Sequence, residues 1–202
     1  MTDRRATAGR PLIEVVERCL TAGLAAVQLR EKDLAAGELL DLARDLRSVT
    51  ARHGARLLVN DRADVALAVA ADGVQLPEAG LPPAVGRGLI GPDRLLGVST
   101  HSPEAAGAAG EAGADFVLFG PVYDTPSKRV WGAPQGPAVL ATACRRARVP
   151  VLAIGGMTAA RVPEVREAGA AGLAVIRALL AADDPARATK DLLAACDLGW
   201  GR

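Results

Sequence analysis

The sequence predicts an α/β protein built as a (β/α)8 barrel, and two observations carry this prediction. Seven short apolar runs alternate with longer amphipathic segments, which is the pattern of parallel strands covered by helices. The residues that directly follow these runs are polar or glycine almost everywhere. A barrel places its chemistry at the carboxyl ends of all its strands, whereas an open doubly wound sheet concentrates it where the strand order reverses. The pattern therefore favours the barrel.

The predicted strands are too short for helices and nearly continuously apolar, as expected of strands buried on both faces. They cover residues 26–29, 56–60, 73–76, 95–98, 116–119, 151–154 and 172–175. Helical periodicity predicts helices over residues 11–21, 36–53, 103–112, 138–147, 160–168 and 186–196. Related short runs precede three of the strands, at residues 71–73, 113–115 and 169–171. We expect the glycine of each run to supply the left-handed residue that ends the preceding helix.

The count of strands is one short of eight, because only a short polar segment precedes the first helix. A missing strand would leave an open sheet edge in a barrel. We therefore expect the first strand to be truncated here, with the native start several residues upstream and an apolar strand that ends at Thr2 and Asp3.

Composition sets the size of the protein and excludes several kinds of partner. The 202 residues suit one barrel domain over residues 1–202, and with 50% hydrophobic but 2% aromatic residues its core must be aliphatic. A net charge of +1 gives no broad basic field for nucleic acid, and no apolar run approaches the roughly 20 residues of a membrane span. Three scattered cysteines and two histidines favour neither a disulfide framework nor a zinc site. The expectation is a cytoplasmic protein without a nucleic-acid or membrane partner.

Polar residues after the first two predicted strands suit a multiply charged anion. Arg30 and Lys32 combine a planar guanidinium fork with a point charge. Asn60 ends the next predicted strand and Asp61 follows it, where a carboxylate beside an amide suits Mg²⁺ and phosphate oxygens. Two plainer interpretations remain open, namely a solvated charge cluster around Arg30 and a helix cap at Asn60 and Asp61.

The longest irregular stretch, residues 120–136, carries hydroxyl and ammonium donors suited to phosphate. These donors are Thr125, Ser127 and Lys128. Loops of this length in compact domains are usually functional or disordered. Ser99, which follows an earlier strand, is either a further polar group of the same site or a cap of the next helix.

Glycines and a basic turn follow the last two predicted strands. Gly155 and Gly156 allow backbone N–H groups to approach a phosphate, although a tight strand-to-helix turn is the plainer interpretation. Ile176 and Arg177 complete this second anion site. The residues alone thus predict a protein that acts on phosphorylated small molecules, with one large metal-assisted anion site and one monophosphate site.

Seven motifs together resemble those of the thiamine phosphate synthases of the TenI superfamily, in the same order and over residues 2–185. They are Gln28-Leu29-Arg30-Glu31-Lys32, Asn60-Asp61-Arg62, Ala71-Asp72-Gly73-Val74, Gly97-Val98-Ser99, Gly120-Pro121-Val122, Thr125-Pro126-Ser127-Lys128 and Ala153-Ile154-Gly155-Gly156. The family is a (β/α)8 barrel that uses Mg²⁺. It joins hydroxymethylpyrimidine diphosphate to hydroxyethylthiazole phosphate and releases pyrophosphate, through a pyrimidine methyl cation. The resemblance implies this activity with small-molecule substrates, and it leaves a homo-oligomer open.

The resemblance also assigns roles to individual residues. It implies that Arg30, Lys32, Ser99 and Lys128 are catalytic through their contact with the departing pyrophosphate, and that Asp61 ligates Mg²⁺. The residues that it implies bind substrate are Gln28, Arg30, Lys32, Asn60, Ser99, Thr125, Ser127, Lys128, Gly155, Gly156, Ile176 and Arg177.

Two departures from the family pattern keep other functions open. Gly80 stands where the family has a second aspartate for Mg²⁺, and Arg177 stands where it has a serine. The run Gln75-Leu76-Pro77 instead resembles the related thiazole tautomerases, although Pro121 stands where their catalytic histidine falls. The alternatives to a synthase are therefore a tautomerase-like isomerase and a non-catalytic protein that binds thiazole phosphate or thiamine phosphate.

Overall fold

The computed structural model describes residues 1–125 and 133–197 and contains one sheet of seven parallel strands in sequence order. The strands are β1 (Ala26–Leu29), β2 (Arg56–Asn60), β3 (Gly73–Leu76), β4 (Leu95–Thr100), β5 (Phe116–Phe119), β6 (Val151–Ile154) and β7 (Gly172–Ala174). All seven predicted strands are present, and only β4 and β7 differ from their predicted bounds. The barrel-like fold that the sequence predicts is confirmed.

Helices alternate with the strands and cover the sheet. They are α1 (Leu12–Thr21), α2 (Ala36–Arg52), α3 (Ala63–Ala68), α4 (Pro83–Ile90), α5 (Pro103–Glu111), α6 (Gly136–Ala147), α7 (Val162–Glu167), α8 (Arg177–Leu180) and α9 (Pro185–Asp197). Short 3₁₀ turns precede α1 and α7, at Arg4–Ala6 and Ala159–Arg161. None of the helices in the described part of the chain is long and apolar enough to cross a membrane.

The core between sheet and helices is aliphatic, as the composition predicts. Leu57 and Val59 of β2 are completely buried, and so are Val74 and Leu76 of β3. Because these strands are covered on both faces, they are apolar at successive positions and do not alternate with polar residues.

Met1 and Thr2 lie between β7 and β1, where an eighth strand would close the barrel. The amino group of Met1 donates a hydrogen bond to the carbonyl oxygen of Val175 (3.0 Å), and the N–H of Thr2 donates to the carbonyl oxygen of Gln28 (2.8 Å). The Thr2 hydroxyl accepts from the N–H of Arg30 (2.8 Å). No strand precedes α1 in the described residues. Met1 and Thr2 instead connect the ends of the sheet, β7 and β1, through these hydrogen bonds. An apolar cavity of about 30 Å³ lies beside Met1.

Two of the three predicted helix ends agree with the structure, and one is wrong. Gly113 and Gly169 have φ values of +96° and +91°, as left-handed caps require. Before β3, however, the left-handed residue is Ala70, with φ +49°. Gly73 is instead the first residue of β3, where a Cβ would overlap the carbonyl oxygen of Leu95. Glycine is required at that position because β4 approaches closely, and not because a helix ends there.

Three short helices, α3, α4 and α8, are absent from the sequence-based prediction. Glycine disfavours helix, and α4 contains Gly86 and Gly88. Gly86 packs against the side chain of Leu76, where a Cβ would lie 2.8 Å from Leu76 Cδ1. The Gly-x-Gly-x-x-Gly run that begins at Gly86 lies in α4 and its end, away from any strand-to-helix turn, so it is not a dinucleotide-binding loop.

Candidate active site

The carboxyl ends of the strands bring predicted anion-binding residues to one end of the barrel, which we call the mouth. β1 and β2 pair in register up to the residues just before Arg30 and Asn60, so these two residues follow side by side. The N–H of Asp61 then donates to the carbonyl oxygen of Gln75 (2.9 Å), which attaches the end of β2 to β3.

The buried side chain of Gln75 connects this group to Ser99. We assign its amide oxygen toward β4, where it accepts from the N–H of Ser99 (2.9 Å) and from its hydroxyl (3.1 Å), because the opposite orientation would face like groups. Gly97 provides the space, since a Cβ there would overlap the Gln75 amide. Asp61 and Ser99 therefore contact the same residue, Asp61 through its backbone.

The helix-cap interpretations of Asn60, Asp61 and Ser99 are wrong. α3 begins after Arg62 and has no side-chain cap at its start. α5 is capped by Ser102, whose hydroxyl accepts from the N–H three residues later (3.1 Å). The polar side chains of Asn60, Asp61 and Ser99 are therefore not used for helix termination.

Several charged groups at the mouth have no partner among residues 1–125 and 133–197. The guanidinium groups of Arg30 and Arg177, the Lys32 ammonium and the Asp61 carboxylate form no hydrogen bond or ion pair there. The Oε1 atom of Gln28 is buried and also lacks a partner within the same residues. Elsewhere in the chain ion pairs are frequent. Unpaired groups of this kind are available to a charged ligand.

Asp61 is the carboxylate that could bind a cation at the mouth. Its φ of +66° is uncommon outside glycine, and such backbone conformations cluster at functional sites. In the described part of the chain no three His, Cys, Asp or Glu side chains lie together as a metal site. Mg²⁺ is commonly held by one or two carboxylates together with substrate phosphates. The donor set therefore fits Mg²⁺ that binds together with a diphosphate.

The turn after β3 does not offer a second aspartate. At Gly80 a Cβ would lie 2.8 Å from Cδ of Pro77, so a larger residue requires the turn to shift. Glu78 in the same turn lies 4.0 Å from Nε2 of His101. The Nδ1 atom of this histidine lies 2.5 Å from the carbonyl oxygen of Gly120, so His101 connects this turn to the start of the long loop.

The glycines after β6 are required by the segment that follows β5. Gly155 and Gly156 have φ values of +99° and +63°. A Cβ at Gly155 would lie 2.6 Å from Cα of Pro121, and one at Gly156 would lie 2.7 Å from the carbonyl oxygen of Asp124. The N–H of Tyr123 donates to the carbonyl oxygen of Gly155 (3.1 Å). The tight turn considered from the sequence is therefore present.

A cluster of Tyr123, Arg161 and Glu164 surrounds this turn. The Arg161 guanidinium lies 4.3 Å from the centre of the Tyr123 ring and also donates to the carbonyl oxygen of Gly156. The Tyr123 hydroxyl donates to the Glu164 carboxylate. Burial, with this hydrogen bond as a second cause, raises the pKa of Tyr123 to about 12. Sequence reasoning missed Arg161 and Glu164, since nothing in their spacing marks them.

The remaining predicted residues are only partly described. Thr125 is half-buried in the segment next to Gly156, and Ile176 precedes α8, which begins at Arg177 without a side-chain cap. Ser127 and Lys128 lie outside the described residues.

Fold and mouth together define a class of protein. A parallel α/β barrel whose strand ends carry a glycine turn and, within residues 1–125 and 133–197, unpaired cations beside a free carboxylate is a barrel enzyme of the kind that acts on phosphorylated small molecules.

Comparison with known proteins identifies the family. A family model described as thiamine monophosphate synthase matches residues 1–179. A protein of Geobacter sulfurreducens, described as a candidate thiamine-phosphate synthase, is 53% identical over 194 residues, which are 96% of this chain and 91% of that protein. The thiamine-phosphate synthase of Roseiflexus castenholzii is 44% identical over 202 residues, 100% of this chain and 87% of that protein. The structure of thiamine phosphate pyrophosphorylase from Pyrococcus furiosus has a TM-score of 0.88 at 36% identity and covers 98% of this chain and 93% of its own. The chain belongs to the thiamine monophosphate synthase family.

Proposed function

We propose that this chain is a thiamine phosphate synthase, a transferase that joins hydroxymethylpyrimidine diphosphate to hydroxyethylthiazole phosphate. The observation that carries the proposal is a set of charges at the mouth without a partner in the described part of the chain, above all Arg30, Lys32 and Asp61, in a chain of this family. Two small molecules are then its partners, and we propose a cytoplasmic location without nucleic-acid or membrane partners.

The reaction needs charge stabilisation and positioning more than proton transfer. The bond between the pyrimidine methylene and the diphosphate oxygen breaks, and the electron pair leaves with pyrophosphate. The thiazole nitrogen then donates its lone pair to the methylene carbon. No proton moves in either step, so catalysis rests on neutralising the leaving group and holding the nucleophile close.

The diphosphate subsite lies at the ends of β1, β2 and β4. Arg30 binds phosphoryl oxygens with its guanidinium fork, Lys32 and Lys128 add point charges, and Ser99 donates its hydroxyl. Gln28 and Asn60 hold the pyrimidine diphosphate through their amides. Support comes from the buried, unpartnered Oε1 atom of Gln28, which is ready to accept a hydrogen bond from a ligand.

Asp61 is the proposed Mg²⁺ ligand in this subsite. Its carboxylate is exposed and has no ion-pair partner in residues 1–125 and 133–197, which supports the assignment. When bound, Mg²⁺ neutralises negative charge on the diphosphate. Neither side chain caps α3, so the oxygens of Asn60 and Asp61 remain available to a ligand.

The thiazole phosphate subsite lies across the mouth, at the ends of β5, β6 and β7. We assign its phosphoryl group to the backbone of Gly155 and Gly156 and to the Ile176–Arg177 turn, with the Arg177 guanidinium as counter-charge. Thr125 and Ser127 complete the subsite with hydroxyl groups. The free guanidinium of Arg177, without a partner in the described residues, supports this placement.

A direct assay tests the proposed function. The purified full chain is mixed with both substrates, with and without Mg²⁺, and thiamine phosphate and pyrophosphate are quantified. We expect both products in equal amounts and only with Mg²⁺, and a loss of at least about tenfold in Mg²⁺-dependent rate for Asp61→Asn. A folded protein that binds thiazole phosphate without turnover would instead support the binding protein. Isomerisation of thiazole carboxylate phosphate would support the tautomerase.

A further inference from the structure

The first residues of the chain form several hydrogen bonds with the segment after β1. The Thr2 hydroxyl accepts from the N–H of Arg30 (2.8 Å). The N–H of Arg4 donates to both carboxylate oxygens of Glu31 (3.0 and 3.2 Å), and its guanidinium donates to one of them (3.1 Å). The 3₁₀ turn that begins at Arg4 is itself capped by Asp3. A capped turn thus holds Glu31, the residue between the two cations of the diphosphate subsite.

Glu31 is buried, which is unusual for a carboxylate. It is 6% exposed, and a buried carboxylate is tolerated only when it is paired and hydrogen-bonded. Arg4 donates to both oxygens, so the buried carboxylate is paired and hydrogen-bonded within the fold.

Burial alternates along the segment that carries the cations. Val27, Leu29 and Glu31 are buried, whereas Arg30 is half-buried and Lys32 is exposed. Successive side chains of an extended segment point to opposite sides. Because Glu31 is anchored on the buried side of the segment, Arg30 before it lies on the opposite side, and Lys32 follows at an exposed position in the turn after β1.

We propose that Glu31, held by Arg4 and supported by Thr2, is a positioning residue that sets the two cations of the diphosphate subsite. This inference rests on the proposed function, because it assumes that Arg30 and Lys32 bind the diphosphate. A carboxylate that acted by charge alone would oppose anion binding. A carboxylate that positions the two cations would strengthen anion binding. Removing the charge of Glu31 should therefore tighten anion binding in the first case and weaken it in the second.

Binding of inorganic pyrophosphate by calorimetry, on the full chain with Mg²⁺, tests the proposal. We expect Glu31→Gln to raise the pyrophosphate Kd about tenfold even though it removes a negative charge. Asp33→Asn is the matched control, because Asp33 pairs with the same Arg4 guanidinium (2.7 Å) but is exposed and accepts nothing from the Arg4 N–H. This control should change Kd less than about twofold. In the direct assay of both products, KM for the pyrimidine diphosphate should rise while KM for thiazole phosphate stays the same.

Thr2 supplies a second route that does not depend on the folding of the Glu31 variant. Thr2→Val removes the acceptor for the Arg30 N–H and should weaken pyrophosphate binding, and Thr2→Ser should restore it. Unchanged or tighter binding in Glu31→Gln, or in Thr2→Val if Glu31→Gln does not fold, overturns the positioning role alone. Absence of pyrophosphate binding in the unmodified chain overturns the proposed function and this inference with it.

Discussion

The contacts of Tyr123 at the mouth change the pKa of its hydroxyl. It is the only tyrosine of the chain. Its ring lies under the Arg161 guanidinium and its hydroxyl donates to Glu164. Burial is the larger cause of the raised pKa, and the neighbouring carboxylate is the second, because both disfavour the phenolate.

We expect the phenolate of Tyr123 to appear near pH 12 in the native protein. A raised folded-state pKa stabilises the protein below about pH 10, the ordinary tyrosine value, and this contribution is lost as the pH rises through 12. Ultraviolet difference absorbance measures the titration, and a single tyrosine makes its assignment unambiguous. Glu164→Gln should lower the midpoint and Glu167→Gln should not. A native midpoint near pH 10 would contradict the contacts described.

The side chain of Arg30, unlike that of Tyr123, forms no polar contact that stabilises the described part of the fold. Its guanidinium has no partner in the described residues, so Arg30→Gln should change the free energy of unfolding by less than about 0.5 kcal/mol. It should raise KM for the pyrimidine diphosphate at least about tenfold, because a charge-assisted bond to the ligand is lost.

Arg47→Gln is the matched comparison for Arg30→Gln. Arg47 donates to Asp72 (2.5 Å), which also accepts from the N–H of Leu57 (2.7 Å). This variant should lose about 1 kcal/mol of stability and leave KM unchanged. Urea denaturation and steady-state kinetics on the three proteins separate the effects, and equal loss of stability in both variants would argue against a free Arg30.

Among the elements, β4 depends on a residue without a side chain. A Cβ at Gly97 would overlap both the Gln75 amide and the Phe116 ring. Gly97→Ala should therefore destabilise the protein by about 1–3 kcal/mol, as overpacking does, and should disturb Ser99 through Gln75.

Gly88 in α4 provides the opposite case. Nothing lies within 4 Å of a Cβ built there, and its φ is not left-handed. Gly88→Ala should stabilise the protein by about 0.5–1 kcal/mol, because alanine favours helix. Thermal unfolding of both variants tests the pair, and an increased melting temperature for Gly97→Ala would show that the crowding at β4 is relieved easily.

Elements were predictable to different degrees for physical reasons. The apolar runs predicted the strands because burial on both faces leaves a signal within four or five residues. Helices as short as α8, with four residues, leave no period to detect. The left-handed residue before β3 was predicted at Gly73 but lies at Ala70. Gly73 is a glycine for a different reason, namely the close approach of β4, which cannot be seen in the local sequence.

In the whole molecule, closure of the sheet buries an amino group. The amino group of Met1 lies between β7 and β1, bonded to Val175, and burial lowers its pKa from 8.0 to about 6. The residues that line the adjacent cavity are mostly apolar, including Val16, Leu24 and Val27. The fold therefore favours the neutral amine.

In a chain whose first residue is Met1, stability should depend on this amine. Between pH 6 and 8 the unfolded state binds more protons, so the contribution is complete above pH 8 and is lost as the pH falls through 6. Two pKa units correspond to about 2–3 kcal/mol. Urea denaturation across this range should show the loss, and an Nα-acetylated chain should not. Identical profiles for the two proteins would contradict burial of the amine.

The sequence by itself determined the barrel class, the order of strands and helices, and which strand ends carry Arg30, Asp61 and Ser99. These features follow from local periodicity and from the position of each residue relative to its own strand. The proposed site was predictable to the same extent where its residues end a strand or directly follow one, as Asn60, Asp61 and Arg30 do.

Only the tertiary structure decided which of these groups are free and which are used by the fold. It placed Thr2 and Arg4 against the segment of Arg30 and Glu31, and Arg161 against Tyr123, although the partners are 27 to 38 positions apart in the sequence. Such pairs leave no periodic signal, because they depend on which loops the closed sheet brings together at its carboxyl end.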